Sequence, residues 1–387
     1  MKKRRIGLYL GVNCVGGVIV DNRRVVSLTK FDLSSLENEA KVETLSEGVR
    51  WEALINKTLR QMQAEEKEVY VSVADKDFIF RSFDIPLMRK EEVESSIVYE
   101  VEKYVPFKLR ELLWDYNFVR SPQEKKMVVS FLGIRESSFK RFRGTFVHLD
   151  ISPLVIEPAS LSLVRMIKGK GKCKTKNFAL LDLTDIEAYL TFYYGDLPIF
   201  NRYLTVPKKE EEVEHDKLIE SMRLSFQYFK REFRSYKIEK FIIISDTAQE
   251  NLLSFLQEES QANVETISSH ELVDRPNSTI ETLKAFGATA RDYYPSVFTP
   301  VLRSTEERGA VIEKHEGVPL RMGLLAALVG VGFVLSVLLS MYFGNEISVK
   351  KVKLRRQEEA IEIPSVFQGF PVASIRKKVE ETEKKIS

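Results

Sequence analysis

The chain has 387 residues, of which 44% are hydrophobic and 30% charged. That length suits two lobes, because single cores stop growing near ~250–300 residues, and the formal net charge of +3 excludes a global field that recruits nucleic acid. Cys14 and Cys173 form no CxxC pair and the four histidines show no HxxxH spacing, so a reduced, cytoplasmic setting without a metal site is expected.

Strand and helix signals alternate from the start. Ile6–Leu10, Gly17–Val20 and Arg24–Thr29 read as three short antiparallel strands. Val49–Gln63 is a predicted helix with Trp51, Leu54, Ile55, Leu59 and Met62 near one face. Glu68–Val73 and Asp77–Ile85 follow as strands. A helix over Glu91–Tyr104 then places Val93, Ile97, Val101 and Tyr104 on one stripe, which a sheet is expected to bury. Pro106 ends it, because proline biases Val105 away from the helical region. Leu112–Val119 and Lys126–Ile134 pair across the turn SPQEK, and Ser137–Val147 is a helix. Residues 68–148 thus read as an α+β insertion. A helix over Ser160–Lys168 closes the first lobe, and Lys168–Lys176 is a solvated basic linker.

The opening pattern then recurs. Phe178–Leu183, Ile186–Tyr193 and Leu197–Val206 form another three-stranded meander. A helix carries Leu218, Met222, Phe226, Phe229 and Phe233 as a core stripe. Strand Phe241–Ser245, helix Gln249–Glu258, strand Val264–Ile267 and helix Thr279–Arg291 complete an approximate internal repeat. Residues 296–321 read as a linker. Met322–Phe343 has no charged residue and matches the roughly 20 residues that span a bilayer, so it is expected to be one transmembrane helix. Residues 344–387 form a short tail, basic at Lys350, Lys351, Lys353, Arg355 and Arg356.

Two lobes that each open with a meander resemble the actin-like ATPase superfamily. The α/β fold this implies is a two-lobed, ribonuclease H-like one. The helix bounded by "IP" and "VPF", followed by "WDYNFV", resembles the PilM family of type IV pilus assembly proteins, as does the closing "AFGATAR" (Ala285–Arg291). The resemblance covers about Ile6 to Arg291. A membrane helix after such a fold resembles GspL of type II secretion systems, or PilM joined to its membrane partner PilN. It implies an actin-like domain over residues 1–295, held in the cytoplasm by a single pass through the inner membrane. The implied partners are PilN/PilO-like or GspM-like membrane proteins and a cytoplasmic secretion or pilus ATPase. A homodimer is left open. By the same resemblance, Val105, Pro106 and Phe107 mark a protein-docking region on the insertion, the alternative being that Pro106 and Phe107 only fix the helix exit.

An actin-like nucleotide site needs glycine-bearing hairpins whose backbone N–H groups approach the phosphates, and an aspartate in each to position magnesium. In the first hairpin Tyr9 stands where the family aspartate is expected, beside Gly11. The second keeps Asp182 but has Thr184 in place of glycine, and the adenosine loop reads "SDTAQE" without glycine. Gly16 and Gly17 fall in the return strand, where they leave room for close packing. A non-catalytic adaptor without a cofactor is therefore expected, with weak ATP binding through Gly11 and Asp182 left open. The competing expectation is an active ATPase or sugar-kinase relative. A membrane-anchored nucleic-acid binder ranks last, since the basic runs lack interleaved aromatics.

Overall fold

The computed structural model describes residues 4–36 and 46–304, apart from 122, 185, 207, 210, 211, 214, 235, 247–249 and 295–297, and further on residues 350, 351 and 353. The chain divides into two compact units, Met1–Ile312 and Glu313–Ser387. The expected membrane helix Met322–Phe343 and most of the basic tail lie outside the described residues. Among the described residues no helix is long and apolar enough to cross a membrane.

The first lobe opens with β1 (Arg5–Leu10), β2 (Cys14–Asp21) and β3 (Arg24–Asp32), followed by helix α1 (Glu47–Met62) and β4 (Glu68–Val73). Valine is the commonest residue of these strands, and β1, β2 and β4 are buried along nearly their whole length, as a sheet packed on both faces requires. Helix α1 buries Trp51, Leu54, Ile55, Thr58 and Met62 and ends at Gln63, whose φ of 54° closes the helix in the left-handed region. Full burial of side chains such as Leu54 and Ile55 contributes about 1.5–3 kcal/mol each.

An insertion follows, made of β5 (Phe78–Pro86), α2 (Lys90–Tyr104), β6 (Leu112–Ser121) and β7 (Lys126–Arg135). The chain returns to the lobe through α3 (Glu136–His148), β8 (Ser152–Pro158) and α4 (Ala159–Gly169). The lobe's sheet has the order β3-β2-β1-β4-β8, with β1, β4 and β8 parallel. Glu68–Val73, expected to open the insertion, is therefore a central strand of the lobe, as its buried apolar run allows. Likewise α3 packs back on α1, where Phe142 lies 5.1 Å from the Trp51 ring. The insertion proper begins at Phe78. Strand β8 was not anticipated from the sequence, because Pro153 and Pro158 argue against a strand. It is tolerated as the sheet's edge.

The second lobe repeats the scheme with β9 (Asn177–Leu183), β10 (Glu187–Tyr194) and β11 (Leu197–Thr205), then a small hairpin of β12 (Lys208–Lys209) and β13 (Glu212–Val213). Helix α5 (His215–Glu232), β14 (Lys240–Ile244), α6 (Glu250–Ser260), β15 (Asn263–Ile267), α7 (Ser269–Leu272) and α8 (Ile280–Thr289) follow. The sheet order β11-β10-β9-β14-β15 matches the first lobe strand for strand. This duplicated arrangement, three antiparallel strands feeding two parallel ones, is the two-lobed actin-like fold. The short α7 was not anticipated. Phe233 lies one residue past α5 yet still packs against that lobe's core.

Helix α8 is buried at every position. It packs against β1 and β2, and Gly16 permits the contact, since a Cβ there would stand 2.8 Å from the Glu281 backbone; on the other face Gly17 admits α1, where a Cβ would stand 2.5 Å from Thr58. The expected packing role of this glycine pair is therefore met. Beyond α8 the chain stays attached rather than leaving as a linker. Arg291 donates to the carbonyls of Thr299 and Pro300 at 3.0 and 2.8 Å, and Phe298 is buried in the first lobe's core. Strand β16 (Arg303–Ser304) then adds to β6, so the insertion's sheet has the order β16-β6-β7-β5. The fold extends to Ser304, and the linker expected at residue 296 starts as part of it.

Candidate functional site

Register places the two hairpins in correspondence. Tyr9, second from the end of β1, is paired with Gly16 on β2 and Ser72 on β4. Asp182, second from the end of β9, is paired with Tyr189 on β10 and Ile244 on β14. Tyr9 thus occupies in the first lobe the position that Asp182 occupies in the second. The structure brings the two together in the cleft between the lobes, with partners that the sequence did not single out.

The Tyr9 hydroxyl donates to Glu187 Oε1 at 2.6 Å, joining β1 of one lobe to β10 of the other. Tyr189 donates to the second oxygen of Glu187 at 3.2 Å. From α8, Lys284 Nζ reaches Asp182 Oδ2 at 2.6 Å and donates to the Tyr9 hydroxyl at 3.5 Å. It also lies 4.7 Å from the centre of the Tyr9 ring, within cation–π range. Lys284 is fully buried and Asp182 almost so. Asp75 adds a second bridge between the lobes. It accepts from the backbone N–H of Ser160 at 3.1 Å and from Asn201 Nδ2 at 2.7 Å.

Burial sets the electrostatics. It raises the carboxyl of Asp182 to about 6, against the lowering pull of Lys284. It raises Asp75 to about 6 as well, against hydrogen bonds from Ser160 and Asn201. Burial alone would lower the Lys284 ammonium, but the carboxylates of Asp182 and Glu187 hold it above its ordinary value. The Tyr9 hydroxyl is pushed up by burial and then by Glu187, so it stays a neutral donor. At the cleft's margin Lys30 and Glu281 pair at 3.0 Å.

Gly11 does not offer an open cradle. Its carbonyl accepts from Trp51 Nε1 at 3.0 Å, and a Cβ there would meet Cys14 Sγ at 2.6 Å and the Tyr9 ring at 3.0 Å. The second hairpin is closed by Thr184, whose hydroxyl donates to the Glu187 carbonyl at 3.0 Å and accepts from the Glu187 N–H at 3.2 Å. In the loop expected to hold adenosine, Asp246 accepts from the backbone N–H and the hydroxyl of Ser269, while residues 247–249 lie outside the described set. These residues do not fit a magnesium nucleotide. An ammonium stands against Asp182, and Cys14 and Tyr9 crowd Gly11.

The other predicted region lies apart, on the insertion. Val93, Ile97 and Val101 of α2 are fully buried, but Tyr104, expected on the same stripe, is 52% exposed and stacks its ring on Phe83 at 6.1 Å. Tyr104 thus still faces the sheet, but as the last residue of α2 it is covered on fewer sides. Val105 is buried, Pro106 exposed, and Phe107 half-buried against the insertion's core with the Arg135 guanidinium 5.2 Å from its ring.

Glu187, Lys284 and Asp75 were missed from sequence. A signal existed for Lys284: the run "IETLKAFGAT" is otherwise apolar or small, so its two charges, Glu281 and Lys284, had to find partners on folding.

The lobes and the cleft between them define the class: an actin-like fold in whose inter-lobe cleft Tyr9, Asp182, Glu187 and Lys284 meet. The whole of a chain solved as part of the PilM–PilN type IV pilus biogenesis complex superposes on 77% of this chain, with a TM-score of 0.58 and 17% identity. The cytoplasmic domain of EpsL, an inner membrane component of the type II secretion system of Vibrio cholerae, matches over 74% of this chain and 95% of its own, with a TM-score of 0.42 and 9% identity. A Bacteroides thetaiotaomicron protein with an actin-like ATPase fold matches over 74% and 96%, with a TM-score of 0.43 and 12% identity. No family profile and no curated protein matches the chain by sequence.

Proposed function

We propose that this protein is a non-catalytic adaptor in the assembly platform of a type IV pilus or type II secretion system. The observation that carries this reading is the cleft. Phosphoryl transfer needs magnesium ligands and open backbone donors around the phosphates. Here Lys284 takes Asp182, and the Tyr9–Glu187 bond ties the two hairpins to each other. A domain so closed serves as a rigid docking body rather than a hydrolase.

The partner follows from the likeness in fold to the PilM–PilN complex: a PilN-like membrane protein, with PilO- or GspM-like proteins and a cytoplasmic assembly ATPase as further members. Docking falls on the insertion, around the turn Val105–Phe107. The uncharged segment Met322–Phe343 anchors the protein in the inner membrane, with the actin-like domain in the cytoplasm and Ser387 on the other side.

The test is affinity capture of the full chain from cross-linked native membranes. The proposal expects co-recovery of small single-pass membrane proteins and an assembly ATPase. Recovery of neither would contradict it, as would magnesium-dependent ATP turnover that disappears in Asp182→Ala. A reporter fused after Ser387 that is active only in the cytoplasm would contradict the topology.

A further inference from the structure

We infer that the groove between the insertion and the second lobe is a docking site for an extended, carboxylate-bearing peptide segment of a partner protein. This rests on the adaptor reading and adds to the Val105–Phe107 turn a second docking surface, which begins at the neighbouring Tyr104.

The groove encloses about 680 Å³, within the size range of ligand sites. One wall is five consecutive residues of β5, Phe80 to Asp84, and the other is four consecutive residues of β11, Ile199 to Arg202. Both strands are terminal in their sheets, β5 in the insertion and β11 in the second lobe. The two strands approach each other, so the space lies along their line of contact, where an extended segment can lie against both walls. A second cavity of about 320 Å³ shares Asp84, Ile199, Glu232 and Phe233 with the first, so the space is elongated.

Charge fixes the chemistry of the occupant. The groove's two carboxylates are already matched: Asp84 pairs with Lys126 at 2.9 Å and Glu232 with Arg231 at 3.1 Å. Its two guanidiniums are not. Arg81 donates only to the carbonyls of Phe80 and Tyr104, at 2.8 and 3.2 Å, and has no carboxylate partner among the described residues. Arg202, on the facing strand, is exposed and has no ion-pair partner among the described residues. An arginine fork matches a carboxylate with two parallel hydrogen bonds. Tyr104 and Tyr228, 52% and 45% exposed, stand at the sides as aromatic contacts. An extended ligand presents successive side chains to opposite faces. The fitting sequence therefore alternates Asp or Glu with apolar residues.

The probe is a phage-displayed library of random seven-residue peptides, panned against the full chain in detergent micelles. The expected winners alternate acidic and apolar positions. Their affinity should fall at least tenfold in Arg202→Glu, in Tyr228→Ala and when the acidic positions are amidated, with unfolding midpoints unchanged. Winners without acidic bias, or binding unmoved by Arg202→Glu, would overturn the inference. If Arg202→Glu disturbs folding, Arg202→Gln reads the same loss. Should acidic peptides fail while the membrane proteins are still co-recovered, the groove assignment falls and the adaptor reading stands. Peptide binding in the groove without co-recovery has the opposite meaning.

Discussion

The cleft at Tyr9 and Asp182 and the groove at Arg81 and Arg202 both face the second lobe, yet they handle charge in opposite ways. In the cleft, Lys284 meets Asp182 and Tyr9 meets Glu187, all buried. In the groove, Arg81 meets backbone carbonyls and Arg202 is exposed, and neither has an ion-pair partner among the described residues. A buried charge must find its partner within the chain, because desolvation is too costly otherwise. An exposed arginine waits on solvent at little cost, and so stays available to another molecule. Polar residues thus serve one fold in two ways: paired and buried in the cleft, exposed in the groove.

Breaking the cleft should have the largest effect. Lys284→Ala leaves Asp182 and Glu187 buried without their cation, and the expected loss is about 3–5 kcal/mol in denaturant unfolding. The double change Lys284→Met with Asp182→Leu should recover part of it, since an apolar pair of similar volume replaces two of the ions while Glu187 keeps its Tyr9 and Tyr189 donors. If Lys284→Ala unfolds at the wild-type midpoint, the ion pair does not hold the lobes. Tyr9→Phe removes the hydroxyl bridge alone and is expected to cost about 1–3 kcal/mol.

On the insertion, Phe107→Ala should cost about 1–2 kcal/mol, less than for a fully buried ring, because Phe107 is only half-buried on the insertion's core. Partner capture by the folded variant should weaken as well, because the proposed docking falls on the Val105–Phe107 turn, and unchanged capture would place docking elsewhere.

The cleft also predicts a pH dependence. Asp75 and Asp182 titrate near 6 in the folded chain against 3.8 for the ordinary carboxyl. Between these values the folded state holds protons that the unfolded state has released, so these two groups make stability fall as pH rises from about 4 to about 6. Thermal unfolding across that window should show a shallower slope in Asp75→Asn than in the wild type. An unchanged slope would place the titration elsewhere. Smallest of all, Arg202→Glu should shift stability by no more than about 0.5 kcal/mol, as befits an exposed groove residue.

The sequence carried the two meanders, the repeat and the insertion helix well, because hydrophobic period and turn residues report local structure directly. Its reading of Gly16 and Gly17 as packing residues also agrees with their close approach to α8 and α1. What it missed were pairings set by topology. Glu68–Val73 could not be assigned to the lobe until β1 and β8 flanked it, and Pro153 and Pro158 disguised an edge strand. Tyr9 and Asp182 were both singled out, but Lys284 lies 102 residues beyond Asp182 and Glu187 lies 178 beyond Tyr9, and no local pattern joins them. The groove was illegible for the same reason: Arg81 and Arg202 become neighbours only when β5 and β11 face each other.

In the proposed adaptor, Lys284 and Tyr9 take the place a magnesium nucleotide would need. Calorimetric titration of the full chain with ATP and magnesium tests it most directly. No saturable heat is expected at millimolar nucleotide. Magnesium-dependent binding in the micromolar range, lost in Asp182→Ala, would contradict it.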